Sequence, residues 1–341
     1  MHDSILSGWR THIREVLASL LAEGSTCALV CYPNHWNPGD SAIWCGTRKA
    51  LAGLNVHVRY VCDHLSYSSE RLKASVPHGP ILILGGGSFG DVYPDETGLR
   101  QRVFDDFPDR NIIQLPQSIW FMSAANIRPM AERIGRLAQF TFLARDAESE
   151  AFARRHFGCR AVLCPDMAFA LDAGDFSFQD PVVSVFGVLR QDCEAMPGEI
   201  VAPGQVAFRH EDWRFPGVEI AKWHIKYRLF LRLDGKIRNM YGRHANFART
   251  LVRICWGGYE RLAFLRAQRG VDFISRGHVL VTNRLHAHIL CLFSDRQQVI
   301  IDTCNGKVRN YYDTWTHVVP RVHLASDMSD ACRLVATLQT R

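Results

Sequence analysis

The sequence predicts an α/β protein of two halves, each a parallel sheet covered by helices, with a ligand cleft between them. Three observations predict it. Strand-like and helix-like patterns alternate through the first 170 residues, and a second series of short β-rich and helical segments begins at residue 182. Polar motifs recur at the carboxyl ends of the predicted strands, the edge where open α/β sheets bind ligands. A chain of 341 residues with 47% hydrophobic composition is long enough for two cores.

The elements follow in order. Apolar residues at Ile5, Trp9, Ile13, Val16, Leu17 and Leu20 give the N-terminus a helical period. β-Rich runs stand at 27–32, 56–61, 80–84, 111–115, 140–144 and 161–163, and helical patterns lie near 40–53, 66–75, 97–106, 122–138 and 146–156. The aperiodic segment 171–181 reads as a linker. The second sheet begins at "VVSVFGVLR" (182–190), followed by an irregular basic and aromatic stretch and a long helical pattern from about 239 to 268. Then come "HVLVT", a short buried helix, "QVIID", a helix after Gly306 and a terminal helix with Ser326 or Ser329 as N-cap.

Composition excludes several classes. The N-terminal helix is interrupted by Asp3, Arg10, Arg14 and Glu15, so it lacks the apolar core of a secretory signal. No run approaches the ~18 apolar residues of a membrane span. A cytoplasmic protein is expected. The eleven cysteines are odd in number, contain no C-x-x-C pair and sit mostly in apolar runs, which favours reduced, buried thiols over a disulfide framework. A net charge of +6, concentrated in 222–253, favours anionic partners without naming one.

Five motifs lie at the sheet edge of the first half. "YPNHWNPGDSAIW" turns at Pro38-Gly39 into a helix that Asp40 or Ser41 can cap, and its free N–H groups face the mouth of the domain. "ILILGGGSFGD" opens a strand into Gly85, Gly86, Gly87 and Gly90, where a backbone can approach a ligand closely and Ser88 adds a hydroxyl. It is neither a P-loop nor a dinucleotide fingerprint, because the spacing differs and no G-K-[ST] follows. "LPQSIWF" ends the fourth strand with Pro116, Gln117 and Ser118, while "ARDAES" and "PDMAF" place Arg145, Asp146 and Asp166 at corresponding ends. Singly each could be a cap or a salt bridge. Their shared edge points to a ligand.

In the second half, "LVTNRLHAHILCLF" (280–293) puts Asn283, Arg284, His286 and His288 where a strand hands over to a buried helix. If the helix begins at Thr282 or Asn283, Arg284 shares a face with His288. If Arg284 lies in the loop, Arg284 and His286 converge on a ligand with the free N–H groups. Arginine suits a carboxylate or phosphate, and histidine can act as an acid near neutral pH. His286 and His288 diverge on a helix, which argues against a metal pair.

Together "NPGD", "GGGSFGD", "LPQSIWF", "ARDAES", "PDMAF", "GVLRQDCEA" and "TNRLHAHI", in order over about residues 33 to 315, resemble the polysaccharide pyruvyl transferase family. The resemblance implies two Rossmann-like domains in a GT-B-like arrangement with an interdomain cleft. Residues 1–171 would form the acceptor side and 172–326 the phosphoenolpyruvate (PEP) side, with 327–341 a C-terminal helix packing back on the first domain. It implies PEP as donor, a saccharide as acceptor, and no cofactor or metal. The family's R-x-H motif falls on Arg284 and His286, implying PEP binding by the first and catalysis by the second. Its N-x-G-D signature falls on Asn37, Gly39 and Asp40.

The expected catalytic set is therefore His286, Arg284 and Asp40, with Asp40 or Asp166 as acceptor of a hydroxyl proton. Asn37, Gly39, Gly86, Gly87, Ser88, Gln117, Ser118, Arg145, Asp166, Arg190 and Asn283 are expected to bind substrate. The basic-aromatic segment 222–243 suits an anionic membrane surface carrying a lipid-linked acceptor, or a solvated helix over the cleft. Nucleic acid fits poorly, since no binding motif accompanies the charge. Two other readings share the architecture: a GT-B glycosyltransferase using a nucleotide sugar, and a non-catalytic member of a polysaccharide-assembly complex.

Overall fold

Two parallel sheets organise the chain, whose computed structural model describes residues 2–191, 208–213 and 245–339. The first contains β1 (Thr26–Val30), β2 (His57–Cys62), β3 (Ile81–Ile83), β4 (Gly86–Gly90), β5 (Asn111–Trp120), β6 (Gln139–Ala144) and β7 (Arg160–Leu163), in the order β2-β1-β3-β5-β6-β7 with β4 also on β5. The second contains β8 (Val183–Val188), β9 (Arg209–Glu211), β10 (Gly277–Thr282), β11 (Gln297–Ile301) and β12 (Val322–Ala325), in the order β12-β11-β10-β8-β9. Both are Rossmann-like in pattern. Each sheet steps one way from its first strand and then returns past it, so a crevice opens between β1 and β3 and another between β8 and β10.

Local sequence explains the elements that frame these crevices. Helix α1 (His2–Ala18) is followed by α2 (Pro38–Gly53), whose N-cap Asn37 accepts the Gly39 N–H while Pro38 supplies a preset φ. Helices α3 (Ser69–Ser75), α4 (Pro94–Asp106), α5 (Ile127–Ile134) and α6 (Ala147–Phe152) complete the first half, with Ser68 and Asp146 as caps of α3 and α6. The second half carries α7 (Ala245–Ile274), α8 (Leu285–Cys291), α9 (Lys307–Thr314) and α10 (Met328–Gln339). The central strands are buried on both faces, which is why they read as continuous apolar runs. One apolar cluster spans both halves: Trp9, Phe169, Leu290 and Phe293 all belong to it, and α2 packs on α7 and on the 3-10 turn Met167–Ala170.

Several expectations need correction. The strand expected to end at 115 continues to Trp120, and the glycine run expected as a loop is itself strand β4. Pro116 has no N–H to give the ladder, so the pairing with β6 slips between Gln114 and Gln117 and then resumes. At Gly90, with φ +151°, a side chain would strike the Trp120 carbonyl, so only glycine lets β4 lie on β5. The helix expected over 122–138 is a 3-10 turn, Ala124–Asn126, plus α5. Residues 209–211, expected to be irregular, form edge strand β9. The C-terminal helix α10, expected on the first half, packs on β11, β12 and β10, with Ala331 and Val335 in the apolar cluster of the second sheet.

None of the described cysteines is in a disulfide, and burial pushes the Cys27 and Cys45 thiols up to about 12. No described helix is long and apolar enough to cross a membrane. The segment 222–243 lies outside the described residues.

Candidate active site

A cavity of about 520 Å3 is lined by residues of both halves. From the first half it is lined by the loop after β1, including Asn34, Trp36 and Asn37, by Asp40 in the first turn of α2, by Gly87 and Ser88 of β4, and by Arg145 at the end of β6. From the second half come Arg190 after β8, Trp213 after β9, Arg284 and His286 after β10, and Lys307 after β11. The strand-end rule thus supplies both walls.

Arg284 is the N-cap of α8 with extended backbone, and His286 lies in the first turn. That resolves the two placements left open by the spacing. Both side chains line the cavity, whereas His288 is fully buried, bonded through Nδ1 to Gln298 (2.8 Å) and through Nε2 to Thr316 (2.9 Å). Burial pushes the His288 ring down to about 4. Among the described residues no cluster of three or more His, Cys, Asp or Glu is arranged for a metal.

Arg284 is itself held. Its Nε donates to Asp212 Oδ1 (2.6 Å) and its Nη2 to Asp212 Oδ2 (2.7 Å), a bidentate fork, and the guanidinium lies 5.6 Å from the Trp213 ring centroid. Asn283 does not line the cavity; its Oδ1 accepts the Arg190 N–H at 2.7 Å and sets that loop.

Behind the first-half wall lies a buried polar network. Arg145, 1% exposed, donates from Nε to Ser118 Oγ (2.7 Å) and from Nη1 to Asp166 Oδ2 (3.0 Å). Ser118 also bonds Asp146. Asp166, 0% exposed, accepts the Ala168 N–H on Oδ1 and meets His286 Nε2 at 3.3 Å on Oδ2. Burial raises the Asp166 carboxyl, but the His286 ring, Arg145 and the Ala168 amide outweigh it and hold it at about 2.

The expected residues therefore separate. Asn37, Asp40, Gly87, Ser88, Arg145, Arg190, Arg284 and His286 line the cavity. Asp166, Gln117, Ser118 and Asn283 stand behind it as supports, and Gly39 and Gly86 are spacers. A side chain on Gly39 would strike His286, and Gly86 holds a φ of +133° that a side chain would strain. Asp40 is oriented by Asn37 Nδ2, at 2.7 Å from Oδ2. Sequence reasoning missed Lys307, although it opens a helix after a strand end and the same rule would have found it. It also missed Asp212 and Trp213, for which no local signal exists.

Comparison with known proteins adds to this geometry. The family model described as polysaccharide pyruvyl transferase matches residues 37–305. The chain is 28% identical over 301 residues to "Pyruvyl transferase 1" of Schizosaccharomyces pombe, covering 85% of this chain and 69% of that one. It is 28% identical over 321 residues to EpsO of Bacillus subtilis, covering 92% of each. Among solved structures, a protein of uncharacterised function from Klebsiella pneumoniae superposes with a TM-score of 0.60 at 16% identity, over 93% of this chain and 98% of that one.

Proposed function

Because this chain belongs to the polysaccharide pyruvyl transferase family, we propose that it moves the enolpyruvyl group of PEP onto two hydroxyls of a saccharide, forming a pyruvate ketal and releasing phosphate. The observation that carries this reading is the convergence of Arg145, Arg190, Arg284 and Lys307 with His286 on one cavity. PEP bears a carboxylate and a phosphate, so it needs more than one cation, and arginine forks match both groups. The two halves would stand as in a GT-B enzyme, residues 1–171 on the acceptor side and 172–326 on the donor side.

The chemistry balances with these groups. One hydroxyl attacks C2 of PEP while a proton reaches C3; phosphate leaves, and the second hydroxyl attacks the same carbon. One hydroxyl proton is thereby accounted for at C3 and the other on phosphate. His286 is the proton donor to C3 or the acid on the phosphate side, Arg284 the anion clamp, and Asp40 the acceptor of a hydroxyl proton. Asn34, Trp36 and Asn37 offer the sugar hydrogen bonds and an aromatic face on the opposite wall. The route needs no cofactor. An acceptor carried on a lipid at the inner face of the membrane would bring its sugar to this cavity from the cytoplasmic side.

The test is calorimetric titration of the protein with PEP, with UDP-glucose as comparator. Saturable PEP binding without a response to the nucleotide sugar is expected. The reverse result would replace pyruvyl transfer with glycosyl transfer.

A further inference from the structure

We propose that Asp166 is the positioning residue for His286: it holds the ring with Nε2–H aimed at its own carboxylate, which leaves Nδ1 as the nitrogen that exchanges protons at the cavity. The proposal rests on the reading of His286 as the acid in pyruvyl transfer. It also revises the roles expected of Asp166 from sequence.

The geometry carries it. Asp166 has no exposed surface and both oxygens are engaged, Oδ1 by the Ala168 N–H at 2.9 Å and Oδ2 by Arg145 Nη1 at 3.0 Å and His286 Nε2 at 3.3 Å. A carboxylate so enclosed does not reach an acceptor hydroxyl. It acts as an acceptor for the ring, and an imidazole facing a carboxylate carries its proton on that side. Arg145 anchors the acid from the end of β6 and its Nε is in turn tied to Ser118, so the support runs back into the first sheet. His286 belongs to the other half. The acid is therefore assembled only when α8 docks on the turn Met167–Ala170. A Cβ on Gly39 would strike the Cβ, Cγ and Nδ1 atoms of His286, so the glycine leaves room beside Nδ1 that any other residue would fill.

In the proposed reaction the proton leaves Nδ1 of the doubly protonated ring, and the neutral ring keeps its Nε2 proton on Asp166. A proton released by an attacking hydroxyl restores the first. No oxidant, metal or further reactant enters the step.

The experiment is histidine side-chain NMR on the full chain with 15N-labelled rings, His286 being identified by the signal missing in His286→Gln. The wild-type ring is expected to carry a proton on Nε2. Asp166→Asn, with the other histidine signals unmoved, is expected to lose that preference, a change that a role in folding alone would not produce. A wild-type His286 protonated only on Nδ1 overturns the proposal whether or not the variant folds. An unchanged ring in a folded Asp166→Asn protein does so as well. Titrating the same samples with PEP separates the two readings, since failure of wild type to bind PEP would remove the donor assignment and leave the tautomer result standing.

Discussion

Gly39 lies so close to His286 that a Cβ built on the glycine would stand 2.3 Å from both Cβ and Cγ of the histidine. The start of α2 is thereby set directly on the ring that lines the cavity from the other half. The N-x-G-D signature and the R-x-H motif, 245 residues apart from Gly39 to Arg284, meet at this contact.

Gly39→Ala should destabilise the protein by about 1–3 kcal/mol through overpacking and weaken PEP binding, even though alanine is the better helix former. The control is Gly8→Ala in the exposed face of α1, where nothing lies within 4 Å of an added Cβ. That change should stabilise by about 0.5–1 kcal/mol. Urea unfolding with calorimetry reads both.

Arg284→Ala should do more than remove a PEP contact. It takes the fork from Asp212, and the two side chains are 8% and 4% exposed, so the loss of stability should reach about 3–5 kcal/mol. In Arg284→Ala/Asp212→Asn much of that loss should return while PEP binding stays weak. Equal instability of the single and double variants would show that Asp212 is not what the arginine supports.

Lys307→Met should weaken PEP binding about tenfold or more, the loss of one charge-assisted contact to an anion. Lys49→Met, which removes an exposed pair with Asp172 and Asp175 on the other side of α2, should leave PEP binding unchanged. Calorimetric titration at one salt concentration compares them.

His288→Gln should retain PEP binding, whereas His286→Gln should abolish turnover. The His288 ring sits at about 4 when folded against 6.5 for an unperturbed histidine. Its folded value is depressed, so the stability it allows is present above about pH 6.5 and is lost as pH falls from there toward about 4. Urea midpoints between these limits should fall less steeply in His288→Gln than in wild type.

Asp166 gives the same sign in a lower window. Its carboxyl is held at about 2 against an ordinary 3.8, so its stabilisation is full above about pH 4 and is lost as pH falls through about 2. The contribution is on the order of 2 kcal/mol. The stability gap between wild type and Asp166→Asn should be constant at neutral pH and narrow below pH 4, which acid-range urea titrations would reveal.

The sequence by itself determined the alternation of strands and helices, the edge at which the polar motifs gather, and the handover from strand to helix around Arg284. These are local matters: apolar period, capping residues and turn glycines act over a few positions and are readable there. It misplaced the end of β5 because a bulge at a proline depends on what the neighbouring strand offers. The tertiary structure alone decided that Arg284 is forked by Asp212, 72 residues away, that Lys307 joins the same cavity, and that Asp166 reaches His286 across 120 residues. Such contacts follow from how two sheets dock, and no period in the chain encodes the distance between their edges. Asp166, read from sequence as a candidate to touch substrate, is buried behind the wall because the docking of α8 covers it.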